Sequence, residues 1–451
     1  MTQWTPRTLE GMLTLLHLSD LHLTTADART QFDRDFKIRE ALLADLGKEG
    51  RTKFDAIVVT GDIAYHGRAD EFTRARAWLE EVRKATNSSP EAIFAVPGNH
   101  DVDRDAVPKD SSLWDLHQGL RKEMPHQERL ASLDKKLHDP FDFLTALAAY
   151  RTFASECGCP TTTGELAWVQ VLDDGHRLED GTKVRFHGLN SALISDGEDK
   201  KANLLLSEIQ FHHFDRKPDY VNIVLCHHPH AWLLDGNEAN DFFRTQAHVV
   251  LSGHDHDVRC YREGNSLRVF AGAVHPNRRD AHWEPCYHLL RLATTTTSHR
   301  ELSASVETRI WRDHEKEFGP SAGARYEERI RLPDWTPPVA TSSAVSPSLT
   351  AKSTLSSSAH VKVMTATSTS DAFTAARRKL IVHFFRLGTL ARYKAVLDAR
   401  VWEETDDALD GQARWARVFE RAEKSGKLPE LWDAVAAKDD TLAGQTNPFT
   451  T

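Results

Sequence analysis

The pattern of apolar and polar positions changes character twice along this chain of 451 residues. Short, β-rich apolar runs at 13–18, 56–60, 92–96, 167–172, 184–189, 221–226 and 248–251 predict buried strands. Helical periodicity at 33–46 and 69–86 separates the first three. A polar, helix-compatible insertion spans 107–156, and further strands follow from about residue 166. Strands that alternate with helices and then run on as strands predict a layered α/β sandwich over residues 1–335.

The texture then shifts. Between 336 and 370, 17 of 35 residues are Ser or Thr, with three prolines, two lysines and no acidic residue. Such a segment has too little apolar surface to fold and reads as a flexible linker. From 371 to 451 helical spacing returns: Phe373, Ala376, Leu380, Ile381, Phe384, Phe385 and Leu387 share one period. Amphipathic stretches at 390–401, 412–424 and 429–437 complete a small all-α bundle of four to six short helices. Trp402, Trp415 and Trp432 supply its core.

Composition narrows the function classes. Hydrophobic residues at 40% and charged residues at 27% are ordinary globular values, which excludes collagen-like, wholly disordered and membrane-embedded chains. No apolar run approaches the ~20 residues of a membrane span, and residues 1–10 hold no signal-peptide core. Five cysteines with one close pair, Cys157 and Cys159, do not make a disulfide framework, so a reducing, cytoplasmic setting is expected. The net charge is −9 and the tail is neutral, which argues against a purely electrostatic nucleic-acid binder.

The 24 histidines carry more information. Five short motifs each follow an apolar run: Asp20-Leu-His22, Gly61-Asp62, Gly98-Asn99-His100-Asp101, His227-His228-Pro229 and Gly253-His254-Asp255-His256. In an open α/β sheet, ligands bind beyond the carboxyl ends of strands, and every donor cluster here falls there. Mixed carboxylate, imidazole and amide donors suit borderline divalent metals such as Mn, Fe, Zn or Co. Two such ions ~3.5–4 Å apart can clamp both oxygens of a phosphoryl displacement.

This set resembles the five-block signature of the calcineurin-like metallophosphoesterases over residues 12–292. The resemblance implies a four-layer αββα β-sandwich with a two-metal centre. It places Asp20, His22, Asp62 and His256 on one divalent ion, and Asp62, Asn99, His227 and His254 on the other. Asp62 would bridge. His100 would contact the phosphate or protonate the leaving oxygen, Asn99 would also stabilise charge on the phosphoryl group, and Asp101 would orient a neighbouring histidine. Of the pair His227 and His228, the first is taken as the ligand. His66 and Arg104 stand where they could touch the substrate phosphate; His230 could face substrate but reads as an exposed surface residue. Tyr65 and His66 replace the acidic residue and Arg of the Ser/Thr protein phosphatase branch, which disfavours that activity.

The remaining candidates read as structural: His17 as core, His212 and His213 as surface, and the Cys157–Cys159 pair as a loop. The tail resembles bacterial death-like effector-associated adaptor domains, which implies a protein partner recruited through 371–451 in a conflict or signalling system. The expected activity is a metal-dependent phosphodiesterase acting on nucleotides or cyclic nucleotides. A DNA or RNA nuclease of the same family and a scaffold with a vestigial metal site are the alternatives.

Overall fold

The computed structural model describes residues 11–24, 34–48, 53–137, 143–162, 165–172, 175–211, 216–276, 284–296, 298–335, 366–403, 405–406, 411–442 and 444–450. The expected linker falls almost wholly outside them, as do His212 and His213.

The first sheet is built from β1 (Leu13–Leu18), β2 (Ala56–Thr60), β3 (Ile93–Val96), β10 (Cys286–Thr296), β11 (Arg300–Arg312) and β12 (Glu317–Arg331). Its order is β12-β11-β10-β1-β2-β3. The second holds β4 (Trp168–Val171), β5 (Lys183–Leu189), β6 (Tyr220–Cys226), β7 (Val249–Ser252), β8 (Arg259–Glu263) and β9 (Ser266–Phe270), in the order β4-β5-β6-β7-β9-β8. In the first sheet β1, β2 and β3 run parallel, and β5, β6, β7 and β9 do so in the second. Strands β1, β2 and β6 are buried along their whole length, as parallel strands covered on both faces should be.

One apolar core joins the two sheets and the helices α1 (Arg34–Leu46), α2 (Ala69–Ala85) and α5 (Ala148–Glu156). Helix α6 (Gly236–Gln246) covers the second sheet through Ala239 and Phe243, against Leu189, Val224 and Val250. The four layers match the expected αββα sandwich. The insertion becomes α3 (Ser112–Arg121), α4 (His126–Leu137) and α5. The third strand starts one residue later than its apolar run suggests, because Pro90–Ala92 forms a 3-10 turn. The long β10–β12 meander reads weakly in sequence because buried positions along β11 are interrupted by half-buried, mostly polar ones. His17 is fully buried on β1 and pairs with Thr60 Oγ1 at 2.8 Å, as a core histidine should.

The C-terminal helices α7 (Ala366–Arg386), α8 (Thr389–Asp398), α9 (Gly411–Lys424) and α10 (Leu428–Ala436) enclose a core of their own. Trp415 and Trp432 are buried in it and Trp402 packs on its edge. Helix α7 begins at Ala366, inside the stretch expected as linker, because Ala366 to Ser370 continue the helical run without a proline.

This bundle docks on the β3/β4 edge of the sandwich. Arg378 is buried there and donates to the carbonyls of Glu91, Ile93 (2.7 Å) and Cys157 (3.1 Å), with its guanidinium 4.2 Å from the Phe94 ring centre. His383 lies between Glu91 Oε1 (2.6 Å) and Asp439 Oδ2 (2.8 Å). The Cys157-Gly-Cys159 turn is therefore part of this contact; all five cysteines are free.

Candidate metal centre

The strand ends bring the five motifs together. Asp20 and His22 follow β1, Asp62 follows β2, Asn99 to Asp101 follow β3, His227 and His228 follow β6, and His254 and His256 follow β7. The first two loops are stitched by backbone bonds from Asp20 to Gly61 (3.0 Å) and from His22 to Asp62 (2.9 Å). Asp20, His22, Asp62, His254 and His256 all adopt positive φ, between 45° and 71°. That conformation is uncommon outside glycine, is best tolerated by Asp, Asn and His, and clusters at functional sites.

Asp62 lies at the middle. Its Oδ1 accepts the backbone N–H of His100 at 2.8 Å. Its Oδ2 faces His22 Nε2 and His227 Nε2, each at 3.4 Å. Asp20 Oδ1 meets His256 Nε2 at 3.0 Å. Ligand-capable atoms of Asp20, His22 and His256 lie within 4.8 Å of one another, as do those of Asp20, Asp62 and His227, and those of His227, His228 and His254.

Three motif glycines crowd the His227 imidazole, and Gly98 and Gly253 also leave room for Asp62 and for Ser19 and Asp20. A Cβ on Gly61 would lie 2.5 Å from His227 Nδ1, one on Gly98 2.8 Å from its Nε2, and one on Gly253 3.1 Å from its Nδ1. Gly61 also needs its φ of +91°. The ring is held by Thr60 O at 2.6 Å from Nδ1, which leaves Nε2 buried and without a hydrogen-bond partner.

The electrostatics suit cations. Burial works to raise Asp20, and the charge and hydrogen bond of His256 overcome it and hold the carboxyl at about 2. Asp62 is held well below the carboxylate range, with burial opposed chiefly by His227 and His22. Burial and the charge of His227 push His254 down to about 4, so its imidazole is neutral and free to ligate. A buried set of two carboxylates facing imidazoles from several strand ends fits divalent ions, which would satisfy both oxygens and nitrogens.

The other predicted residues fall as follows. His100 Nδ1 lies 2.9 Å from the Tyr65 carbonyl, so Nδ1 carries the proton and Nε2 points away from that anchor. Burial, with His22 and Arg104, keeps its pKa below the ordinary imidazole value against the pull of Asp62. Asp101 does not touch a histidine ring, contrary to expectation. Its carboxylate is taken by the backbone N–H groups of Ile63 (2.9 Å), Ala64 (2.8 Å) and Gly98 (2.9 Å), so it ties the Asp62 loop to the Asn99 turn. His228 is brought in: Ser191 Oγ holds its Nδ1 at 2.9 Å and Asn99 Oδ1 faces its Nε2 at 3.1 Å. His66 is turned towards Glu71, whose carboxylate meets its Nδ1 (3.2 Å) and backbone N–H (2.8 Å). Arg104 is exposed on the short turn Arg104–Ala106, and His230 is half-buried on another, His230–Trp232.

Sequence reasoning missed three neighbours. Trp232 sets its indole against His254, centroids 4.1 Å apart, and donates to Asp255 Oδ1 at 3.1 Å. The His275 carbonyl holds His22 Nδ1 at 3.1 Å. Ser191 orients His228. A carbonyl contact is indifferent to residue type, so His275 leaves no signal in the sequence.

The family model "calcineurin-like phosphoesterase" matches residues 13–258. The chain is 26% identical over 287 residues to the uncharacterized metallophosphoesterase-like protein YydB of Bacillus subtilis, covering 57% of this chain and 53% of that protein. The chain thus spans about half the length of that relative. Among solved structures, a conserved uncharacterized protein of Streptococcus pneumoniae, a phosphoesterase by prediction, is 14% identical with a TM-score of 0.28, covering 71% of this chain and 99% of the other. Vps29 of Chaetomium thermophilum is 12% identical with a TM-score of 0.30, covering 71% and 100%.

Proposed function

The chain belongs to the calcineurin-like phosphoesterase family, and from that premise we propose that it is a two-metal phosphodiesterase acting on nucleotide-type phosphodiesters, cyclic nucleotides included. The observation that carries this reading is the position of Asp62, whose single oxygen Oδ2 faces imidazoles from two different strand ends. Asp20, His22, Asp62 and His256 would hold one ion. Asp62, Asn99, His227 and His254 would hold the other, with His228 steadying the Asn99 amide.

Bound divalent ions would supply Lewis-acid charge and an activated water nucleophile. The chain's own residues do the rest. Asn99 and the exposed Arg104 stabilise charge on the phosphoryl oxygens. His100 stands at the leaving-group side. With its Nδ1 proton held by the Tyr65 carbonyl, Nε2 donates a proton only when the ring is cationic. The phosphate anion of a bound substrate favours that cation. Asp101 acts through backbone, keeping the His100 turn in register with Asp62.

We assign the C-terminal bundle a protein-binding role. Its separate core and the exposed Leu390 and Leu397 on α8, at 69% and 56%, support that assignment. Among the described residues, no helix is long and apolar enough to cross a membrane.

The test is hydrolysis of bis-p-nitrophenyl phosphate after Mn loading, with Asp62→Ala alongside and p-nitrophenyl phosphate as the monoester control. Diester turnover lost in Asp62→Ala supports the reading. Turnover of the monoester alone would replace it with a phosphatase, and preferential cleavage of single-stranded DNA would replace it with a nuclease. Metal-free, inactive protein would leave the scaffold reading.

A further inference from the structure

Tyr65 stands at the rim of the centre with its ring partly uncovered. Its side chain is 42% exposed, although it belongs to the loop that holds Asp62. Its ring lies 5.1 Å from that of His100 at 33°, and edge-on to those of His22 (5.9 Å, 80°) and His66 (4.6 Å, 84°). Imidazoles therefore back the ring while much of it stays open to solvent. Trp232 differs: its indole is committed to His254 by ring contact and to Asp255 by its N–H.

The position matters because Tyr65 and His100 are one unit. The Tyr65 carbonyl holds His100 Nδ1 and the Tyr65 ring lies 5.1 Å from the imidazole, so a group brought up to His100 comes within reach of that ring. A rigid aromatic with little rotamer freedom left to lose is a cheap platform for a second flat ring. Base–aromatic stacking tolerates any base, since every base has a π-face.

We propose that Tyr65 is the stacking platform for a flat aromatic group on the leaving side of the substrate, and so sets the preference for phosphodiesters bearing a nucleobase or similar ring. This rests on the phosphodiesterase reading of the same centre. Tyr65 contributes to binding through its ring and to the orientation of His100 through its carbonyl, which substitution of the side chain leaves in place.

The test compares wild type, Tyr65→Phe and Tyr65→Ala, all Mn-loaded, on 3′,5′-cyclic AMP, bis-p-nitrophenyl phosphate and glycerophosphocholine, which has no flat ring. Tyr65→Ala is expected to raise KM about 5- to 150-fold for the two aromatic substrates, the range produced by losing one base–aromatic stack. Its kcat should stay within about twofold, and KM for glycerophosphocholine should not move. Tyr65→Phe should resemble wild type. A fall in kcat shared by all three substrates would overturn the proposal, since Tyr65 would then only position His100. Unchanged KM throughout would overturn it too. Calorimetric binding of AMP and of inorganic phosphate separates this from the underlying reading. If nothing is hydrolysed but Tyr65→Ala still weakens AMP and not phosphate, the platform stands and the phosphodiesterase reading falls. Equal weakening of both ligands, or of neither, overturns the platform.

Discussion

The carboxylate of Asp62 and the backbone of His100 are joined by one hydrogen bond of 2.8 Å, so the central carboxylate and the proposed proton donor share a frame. The bond uses Oδ1 and leaves Oδ2 towards His22 and His227. Removing the carboxylate should therefore disturb both metal subsites. Asp62→Asn is expected to bind fewer than two Mn ions per chain by elemental analysis and to lose more than about a hundredfold in turnover, a size usual for removing a charge-stabilising group at a reacting centre.

His100→Ala should behave differently. It keeps the backbone N–H that Asp62 uses, so both ions should remain bound. Turnover should fall about 10²- to 10⁴-fold, the usual contribution of a positioned acid. Because Nε2 donates only from the cationic ring, wild-type kcat should decline as pH rises and the ring loses its proton. That alkaline limb should be absent in His100→Ala. Loss of metal from His100→Ala would show that its role is ligation.

Gly98 tests how tightly the centre is packed. A Cβ there would lie 2.2 Å from Asp62 Oδ1 and 2.8 Å from His227 Nε2. Overpacking of this kind costs about 1–3 kcal/mol. Gly98→Ala should lower the thermal midpoint and reduce both metal content and turnover by at least about tenfold. Substitution at Gly119, which has open space around it, should do neither.

The seat of the C-terminal bundle has a pH signature. Burial works to raise Glu91, and the hydrogen bond and charge of His383 outweigh it and hold the carboxyl at about 2, below its ordinary 4.5. A depressed carboxylate stabilises the folded form above its unfolded value and loses that contribution as pH falls through the folded one. The advantage of wild type over Glu91→Gln should therefore be full at neutral pH and fade between pH 4.5 and about 2. At pH 7 the substitution should cost about 1.5–3 kcal/mol, the range for a hydrogen bond to a charged group. Denaturant unfolding across that pH range checks both statements.

Much of this was legible in the chain itself. The runs at 13–18 and 56–60 became β1 and β2 without adjustment, since strands buried on both faces are continuous apolar runs. The motifs at 20–22, 61–62, 98–101, 227–229 and 253–256 stood out because strand-end position and donor type coincide, and the fold brings them together; which of their residues would ligate was implied only by the family resemblance. What stayed hidden depends on contacts made across the fold. Arg378 reads as an ordinary helix cation, yet it is buried against three carbonyls of the sandwich. Asp101 looked like a partner for imidazole, but backbone N–H groups brought by the Asp62 loop reach it first. Tyr65 read only as a departure from the Ser/Thr protein phosphatase pattern, and only the fold sets its ring beside His100.

The most direct test of the two-metal centre is anomalous diffraction from crystals of the Mn-loaded protein. The account predicts two peaks about 3.5–4 Å apart, with Asp62 between them, one near Asp20, His22 and His256 and the other near Asn99, His227 and His254. A single peak, or peaks that Asp62 does not bridge, would contradict it.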